Sequence, residues 1–220
     1  MATGIVIPAY NAEATIERVI RELMKHGIKK KHIIIVDDGS TDATGSVALG
    51  MGVQVIRHER NRGKGAALKS GFSAARSQGY QGVITMDADG QHLCDDIYRL
   101  SRHRKAYDLI VGYRNDTDVM PLMRNIVNRM TSLVISVLAD AYTPDVQCGF
   151  RYIALNMFDR VTLNTNHYQM ESEMIFKAQR LGYRVGSFPV ATVYGKEKSF
   201  IKPFIDTVRF IFMAITFLWR

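Results

Sequence analysis

Apolar positions along the chain follow two alternating periods. Short β-branched runs at residues 5–7, 32–36, 53–56, 82–86 and 108–111 are separated by segments of helical period at 12–26, 41–49, 64–77 and 94–104. Strands that short and that uniformly apolar are covered on both faces, and a helix between successive strands makes each connection a crossover. The first half therefore predicts an α/β fold with a mainly parallel, Rossmann-like sheet covered by helices, in at least five βα units. Past Gly112 the rhythm changes. Pro121 opens a helix to about residue 139 in which Arg124, Asn128, Ser132 and Ser136 recur every four residues on one face, while the other face is almost wholly apolar. Strands at 150–154, 183–188 and 190–194 and a helix at 171–181 complete the pattern, with no repeat, low-complexity tract or linker.

The last segment, 200–220, gathers Lys202, Asp206, Arg209, Thr216 and Arg220 into a narrow stripe on an otherwise apolar helix. Its longest uncharged run, 210–219, is half the roughly 20 residues that a membrane span needs. The segment reads either as an amphipathic helix lying in the lipid interface, with Phe and Trp219 on its apolar face, or as a helix packed on the sheet or on a second subunit. The expected organisation is one domain over 1–199 with an appended, membrane-interfacial C-terminal helix over 200–220, and a homo-oligomer stays open.

Composition narrows the class. At 220 residues and 47% apolar, the chain can bury a substantial core, which excludes disorder, collagen and a small disulfide scaffold. Its 29 Lys and Arg against 21 Asp and Glu give a charge of +8, so a polyanion is the expected partner: nucleotide, nucleic acid or anionic lipid. Cys94 and Cys148 have neither metal-ligand spacing nor the number of a disulfide framework, which points to a reducing compartment. Met1 leads directly into the first apolar run without the basic and apolar regions of a secretory signal, so the expected location is cytoplasmic.

Three loops can carry chemistry. Val36-Asp37-Asp38-Gly39-Ser40-Thr41-Asp42 closes a strand and opens a helix, where a parallel sheet binds ligands; its carboxylates can accept hydrogen bonds from a ribose or a base, or Asp-Gly simply makes the turn that Ser40 or Thr41 caps. Met86-Asp87-Ala88-Asp89-Gly90-Gln91-His92 follows another apolar strand and supplies hard oxygen ligands, from Asp87, Asp89 and Gln91, suited to Mg²⁺ or Mn²⁺ that shares its coordination with phosphates. Asn61-Arg62-Gly63-Lys64-Gly65 is a glycine-rich turn into a helix, either a phosphate cradle or a close-packing device. It lacks Walker spacing, which excludes a P-loop ATPase.

In this order, Ile7-Pro8-Ala9-Tyr10-Asn11, Val36-Asp37-Asp38-Gly39-Ser40, Asn61-Arg62-Gly63-Lys64-Gly65 and Asp87-Ala88-Asp89 resemble the inverting family 2 glycosyltransferases of GT-A fold. Asp145-Val146-Gln147-Cys148-Gly149-Phe150-Arg151, Glu171-Ser172-Glu173 and Lys198-Ser199-Phe200-Ile201-Lys202-Pro203 look like the branch that transfers sugars to polyprenyl phosphate, the dolichyl-phosphate mannose or glucose synthases. The resemblance implies that Pro8, Tyr10, Asp37 and Asp38 contact base and ribose, and that Asp87 and Asp89 with Gln91 handle ribose, diphosphate and metal. Lys64 and Ala88 join the nucleotide-sugar set. So does Glu13, which stands one residue later than the Glu many relatives place directly after Asn. Asp145 falls at the family's acidic residue near the reacting sugar, Glu171 and Glu173 at an acidic pair on the acceptor side, and Arg114 and Arg124 at basic residues that meet phosphate. Phe200 stands where close relatives often have His.

The expected reaction moves a hexose from a nucleoside-diphosphate sugar, UDP- or GDP-linked, to a polyprenyl phosphate at the cytoplasmic side of a membrane, where the protein sits peripherally. A divalent ion at Asp89 would stabilise charge on the leaving phosphates. A lipid monophosphate is already largely ionised at neutral pH and needs orientation more than a base. Were the acceptor a sugar hydroxyl of a glycolipid or polysaccharide, Asp145 would have to act as base. A non-catalytic nucleotide-sugar-binding protein is the alternative from another class. Nucleic acid is not an expected partner, because the basic residues are scattered and both acidic loops would repel its backbone.

Overall fold

A computed structural model describes residues 3–114, 122–139, 142–191 and 203–218, the side chains of 122–127, 203–208, 211 and 218 excepted. Its strands are β1 (Thr3–Ala9), β2 (Ile33–Asp37), β3 (Gln54–Arg57), β4 (Gly82–Thr85), β5 (Leu109–Arg114), β6 (Arg151–Ala154) and β7 (Val185–Val190). The helices are α1 (Glu13–Lys25), α2 (Thr44–Gly50), α3 (Lys64–Ser77), α4 (Asp95–Arg102), α5 (Leu122–Leu138), α6 (Gln169–Arg180) and α7 (Pro203–Leu218). The strands form one seven-stranded sheet in the order β3-β2-β1-β4-β6-β5-β7.

The expected parallel pairing holds for β1 with β2 and β4, β2 with β3, and β5 with β7. β6 departs from it, running antiparallel between β4 and β5. Period alone cannot distinguish direction, since an apolar run reads the same either way. The reversal matters for the site: Arg151 lies opposite Thr85 and Val111, so the segment entering β6 arrives at the same edge where β4 and β5 end. The run expected at 183–188 is observed as β7, shifted to Val185–Val190, and most of the run expected at 190–194 lies outside the described residues. Pro189 is tolerated because, among the described residues, β7 is the edge strand, with β5 on one side only.

Both faces of the sheet are buried. Ile5, Ile7, Ile33 and Ile35 pack with Ile16, Ile20 and Leu23 of α1 on one side. Val6, Ile34, Val36 and Val83 pack with Leu68 and Phe72 of α3 and Met174 of α6 on the other. Strand order reverses between β1 and β4, and at such a switch point the loops leaving the two carboxyl ends diverge and open a crevice.

The second half contains an inverted helix. In α5 the polar stripe faces inward: Asn128, Thr131 and Ser132 are buried, the Val146 N–H donates to Ser132 Oγ at 3.1 Å, and the Thr143 N–H to Ser136 Oγ at 2.9 Å. The outer face presents Met130, Leu133 and Val137 at 64%, 66% and 71% exposure. α7 packs against α5 and α6, with Phe217 stacked on Phe176 at 4.0 Å, and buries Met213 and Ala214 while exposing Phe212 and Ile215. Among the described residues no helix is long and apolar enough to cross a membrane. Lys202, Trp219 and Arg220 lie outside the described residues, and the side chain of Asp206 outside the described side chains.

Candidate active site

The crevice between β1 and β4 collects most of the expected residues. Pro8 lies in β1 opposite Val36, beyond the last residue that β1 pairs with β4, so its missing N–H costs the sheet nothing on that side. Tyr10 and Asn11 leave the strand. Asn11 adopts φ +48°, a left-handed conformation that its short amide side chain tolerates. There its Oδ1 accepts the Thr41 N–H at 2.9 Å while its own N–H donates to Ser40 Oγ at 3.0 Å. Glu13 continues this stitching, its carboxylate accepting the Ala43 N–H at 2.9 Å and its N–H donating to Asp42 at 3.1 Å. The one-residue shift of this Glu thus places it on the backbone of the first acidic loop.

Asp37 and Asp38 are both buried, but they differ in what their oxygens do. Asp37 Oδ1 accepts the Ser40 N–H at 2.9 Å; its Oδ2 has no hydrogen-bond partner, only the Arg57 guanidinium at 3.4 Å. Asp38 is fully engaged by the protein, with His58 Nδ1 at 2.7 Å, the Arg62 N–H at 3.0 Å and the Gly63 N–H at 2.8 Å. The glycine-rich turn is pressed from the other side by residues 166–170. Gly63 has φ +97°, and a Cβ there would lie 2.3 Å from His167 and 2.5 Å from the Asn166 carbonyl, so this position requires glycine.

That turn delivers Lys64, the centre of the site's electrostatics. Its ammonium lies 2.7 Å from Asp87 Oδ1 and 3.2 Å from Glu171 Oε2. Burial works against the charged lysine, but the two carboxylates outweigh it and hold its pKa above the usual value. For Asp87, burial is likewise overcome, by Lys64 and then His92, and its carboxyl titrates well below the ordinary range. Asp89 shifts the opposite way: burial and then the neighbouring Asp87 charge raise it. Its Oδ1 accepts the Gln91 N–H at 2.9 Å. Ala88 is buried, and its carbonyl accepts the Thr15 hydroxyl at 2.7 Å.

The segment entering β6 closes the crevice. The Thr85 hydroxyl donates to the Gly149 carbonyl at 2.7 Å, and a Cβ on Gly149 would come within 2.6 Å of both Asp87 oxygens. Asp145 is held in a fork by Arg114, Nε to Oδ2 at 2.7 Å and Nη2 to Oδ1 at 3.1 Å, and Oδ1 also accepts the Gln147 N–H. Arg114 and Asp145 are therefore partners. Glu171 is buried, which raises its pKa despite Lys64 and Arg151. Glu173 points elsewhere: its carboxylate accepts the Asn164 and Thr165 N–H groups at 2.9 Å and the Lys177 ammonium at 2.6 Å. The side chain of Arg124 and residues 198–202 lie outside what is described.

Two buried residues were not singled out from the sequence. Arg151, within the motif before β6, donates to the carbonyls of Val146, Cys148 and Glu171 and lies 3.8 Å from the Glu171 carboxylate, tying the Asp145 segment to α6. An arginine in an otherwise apolar strand is the signal that could have found it. His58 had only its place one residue beyond a strand end. Cys94 and Cys148 are buried free thiols, that of Cys148 pushed up to about 12 by burial and by Asp145.

The donor set fits a divalent ion by charge and type. Burial and then the Asp87 charge raise Asp89, a penalty a cation relieves, and the oxygens of both are hard ligands. Among the described residues no cluster of three or more His, Cys, Asp or Glu could hold one. Such a pair suits an ion that completes its coordination with water and substrate phosphates.

The sequence model described as Glycosyl transferase family 2 matches residues 4–154. The chain is 30% identical to a UDP-N-acetylglucosamine–dolichyl-phosphate N-acetylglucosaminyltransferase of Methanococcus voltae, covering 86% of this chain and 85% of that protein. It is 27% identical to an undecaprenyl-phosphate mannosyltransferase of Micrococcus luteus, covering 86% and 82%. The fold is shared with glucosyl-3-phosphoglycerate synthase from Mycobacterium tuberculosis, crystallised with UDP: TM-score 0.75 at 19% identity, over 98% of this chain and 79% of that one.

Proposed function

Given that the chain belongs to glycosyl transferase family 2 and is a glycosyltransferase of GT-A fold, we propose that it moves a hexose from a nucleoside-diphosphate sugar to a polyprenyl phosphate at a membrane surface. The observation that carries the acceptor half is the inverted α5, which exposes Met130, Leu133 and Val137 and packs against α7, itself exposing Phe212 and Ile215. Large apolar side chains in water forgo roughly 1.5–3 kcal/mol each, and bilayer contact recovers it. A basic chain, at +8, adds attraction to anionic headgroups. The C-terminal helix is then the appendage that rests on lipid, as the division into 1–199 and 200–220 implies.

Pro8, Tyr10 and Asp37 would line the nucleoside end, where Asp37 Oδ2 makes no hydrogen bond within the protein and meets only the Arg57 guanidinium at 3.4 Å. Lys64 holds Asp87 in the ionised state and brings positive charge toward the diphosphate. Mg²⁺ or Mn²⁺, held by Asp89 with Asp87 and Gln91, would neutralise charge developing on the leaving diphosphate. Asp145 has both carboxylate oxygens engaged by protein donors, Arg114 and the Gln147 N–H. That favours a lipid phosphate, which arrives ionised, over a hydroxyl acceptor.

The test is transfer of labelled sugar from a panel of UDP- and GDP-sugars to polyprenyl phosphate with Mg²⁺ or Mn²⁺, read as label in the organic phase. One donor should label lipid, and Asp89→Ala should lower that by about 10³-fold or more with the fold intact. Slow metal-dependent hydrolysis of a donor without lipid label would move the acceptor to a hydroxyl. Silence on both counts from folded protein would leave only a binding role.

A further inference from the structure

We infer that His58 is a positioning residue for the donor site, acting through Asp38 on the turn that carries Lys64. The inference rests on the reading of this crevice as a nucleotide-sugar site.

His58 stands one residue past β3, fixed by its backbone N–H donating to the Asp37 carbonyl at 2.9 Å, and its ring is buried. It meets Asp38 Oδ1 through Nδ1 at 2.7 Å and Ser70 Oγ of α3 through Nε2 at 2.9 Å. A carboxylate only accepts, so Nδ1 is the donor in that pair. The same carboxylate grips the turn at two successive N–H groups, Arg62 and Gly63. A line of bonds thus runs from α3 through Ser70, His58 and Asp38 to the residue before Lys64.

The geometry explains why two adjacent aspartates are needed. Asp37 keeps one oxygen without a hydrogen bond, facing only the Arg57 guanidinium at 3.4 Å, whereas Asp38 is fully engaged inside the protein. Lys64 must reach Asp87 at 2.7 Å and Glu171 at 3.2 Å together, and such a constellation tolerates errors of only about 0.5 Å. Loss of the imidazole frees the Asp38 carboxylate to turn, and both turn N–H groups lose their alignment. His58 touches no reacting atom in this scheme; it sets the position of one that does.

The two ring nitrogens can be separated experimentally. His58→Asn keeps a donor at the Nδ1 position toward Asp38, while His58→Gln reaches toward Ser70 and abandons Asp38. Hydrogen exchange of the peptide spanning 59–66 reads the clamp without substrate, and calorimetry with UDP and Mn²⁺ reads donor binding. His58→Gln should speed exchange there and weaken UDP binding, each by about tenfold, with His58→Asn within about twofold of wild type on both. Wild-type exchange in His58→Gln, or equal damage in both variants, overturns the clamp. Faster exchange with unchanged UDP affinity overturns its role in donor binding. If the wild-type protein binds no UDP while exchange still rises in His58→Gln only, the nucleotide reading fails and the clamp stands. Should His58→Gln not fold, Ser70→Ala leaves the imidazole without its second partner; exchange must rise about threefold, and wild-type exchange overturns the chain of bonds.

Discussion

α1 and α5 have the same amphipathic period and opposite orientations. α1 turns Ile16, Val19, Ile20 and Leu23 to the sheet and leaves Glu17 and Arg21 paired in water at 2.6 Å. α5 buries Asn128, Thr131 and Ser132 and leaves Met130, Leu133 and Val137 outside. What each helix packs against decides the difference. Beneath α1 lies an apolar sheet with its backbone groups already paired. Beneath α5 run loop N–H groups at Thr143 and Val146 that need acceptors, which Ser136 and Ser132 supply. Periodicity fixes that a stripe exists, and the partners decide which stripe turns inward.

A carboxylate introduced on each apolar stripe gives the largest contrast. Ile20→Asp places a charge in a closed core and should cost more than about 4 kcal/mol, enough to abolish the cooperative unfolding transition. Leu133→Asp should leave the urea midpoint almost unchanged, a shift of about 0.5 kcal/mol or less. Comparable destabilisation by both would mean that the outer face of α5 is covered within the protein itself.

The lipid reading of that outer face is tested next. Replacing Met130, Leu133 and Val137 together by Ser removes three apolar anchors, and sedimentation with phosphatidylglycerol vesicles should show partitioning reduced by about a hundredfold with an unaltered thermal transition. The opposite stripe should respond in the opposite sense. Ser132→Ala strands the Val146 N–H and should cost about 1–3 kcal/mol in denaturant unfolding, with vesicle binding retained.

The same contrast separates what was legible in the sequence from what was not. α3 was predicted at its observed bounds because a glycine-rich turn marks its start, and α1 to within one residue at each end because its stripe faces a core. The acidic loops were found because carboxylates at strand ends are visible in one dimension. Their division of labour was not: Asp37 and Asp38 look alike until His58, 20 residues away, and Gly63, 25 residues away, occupy one of them. The reversal of β6 escaped for a similar reason, since strand direction is set by neighbours distant in sequence. Arg114 and Asp145, expected on separate chemistries, join each other because β5 ends where the 145–150 segment arrives.

Glu173 sharpens the contrast at its smallest scale, since α6 also turns a charged side chain inward toward loop N–H groups. Burial opposes its ionisation, but Lys177 and Thr165, with the Asn164 and Thr165 backbone, outweigh that and depress its pKa. A depressed carboxylate contributes stability that is fully present above the unfolded glutamate pKa of about 4.3 and is lost as pH falls through the lower folded value. Glu173→Gln should therefore cost about 1 kcal/mol in urea unfolding at pH 7, and the gap to wild type should close as both are acidified below that unfolded value. Glu17→Gln, changing an exposed carboxylate on α1, should leave a gap smaller than about 0.5 kcal/mol. If Glu173→Gln parallels wild type across the whole pH range, Glu173 serves only to fill space, and the orientation of α6 owes nothing to the loop it caps.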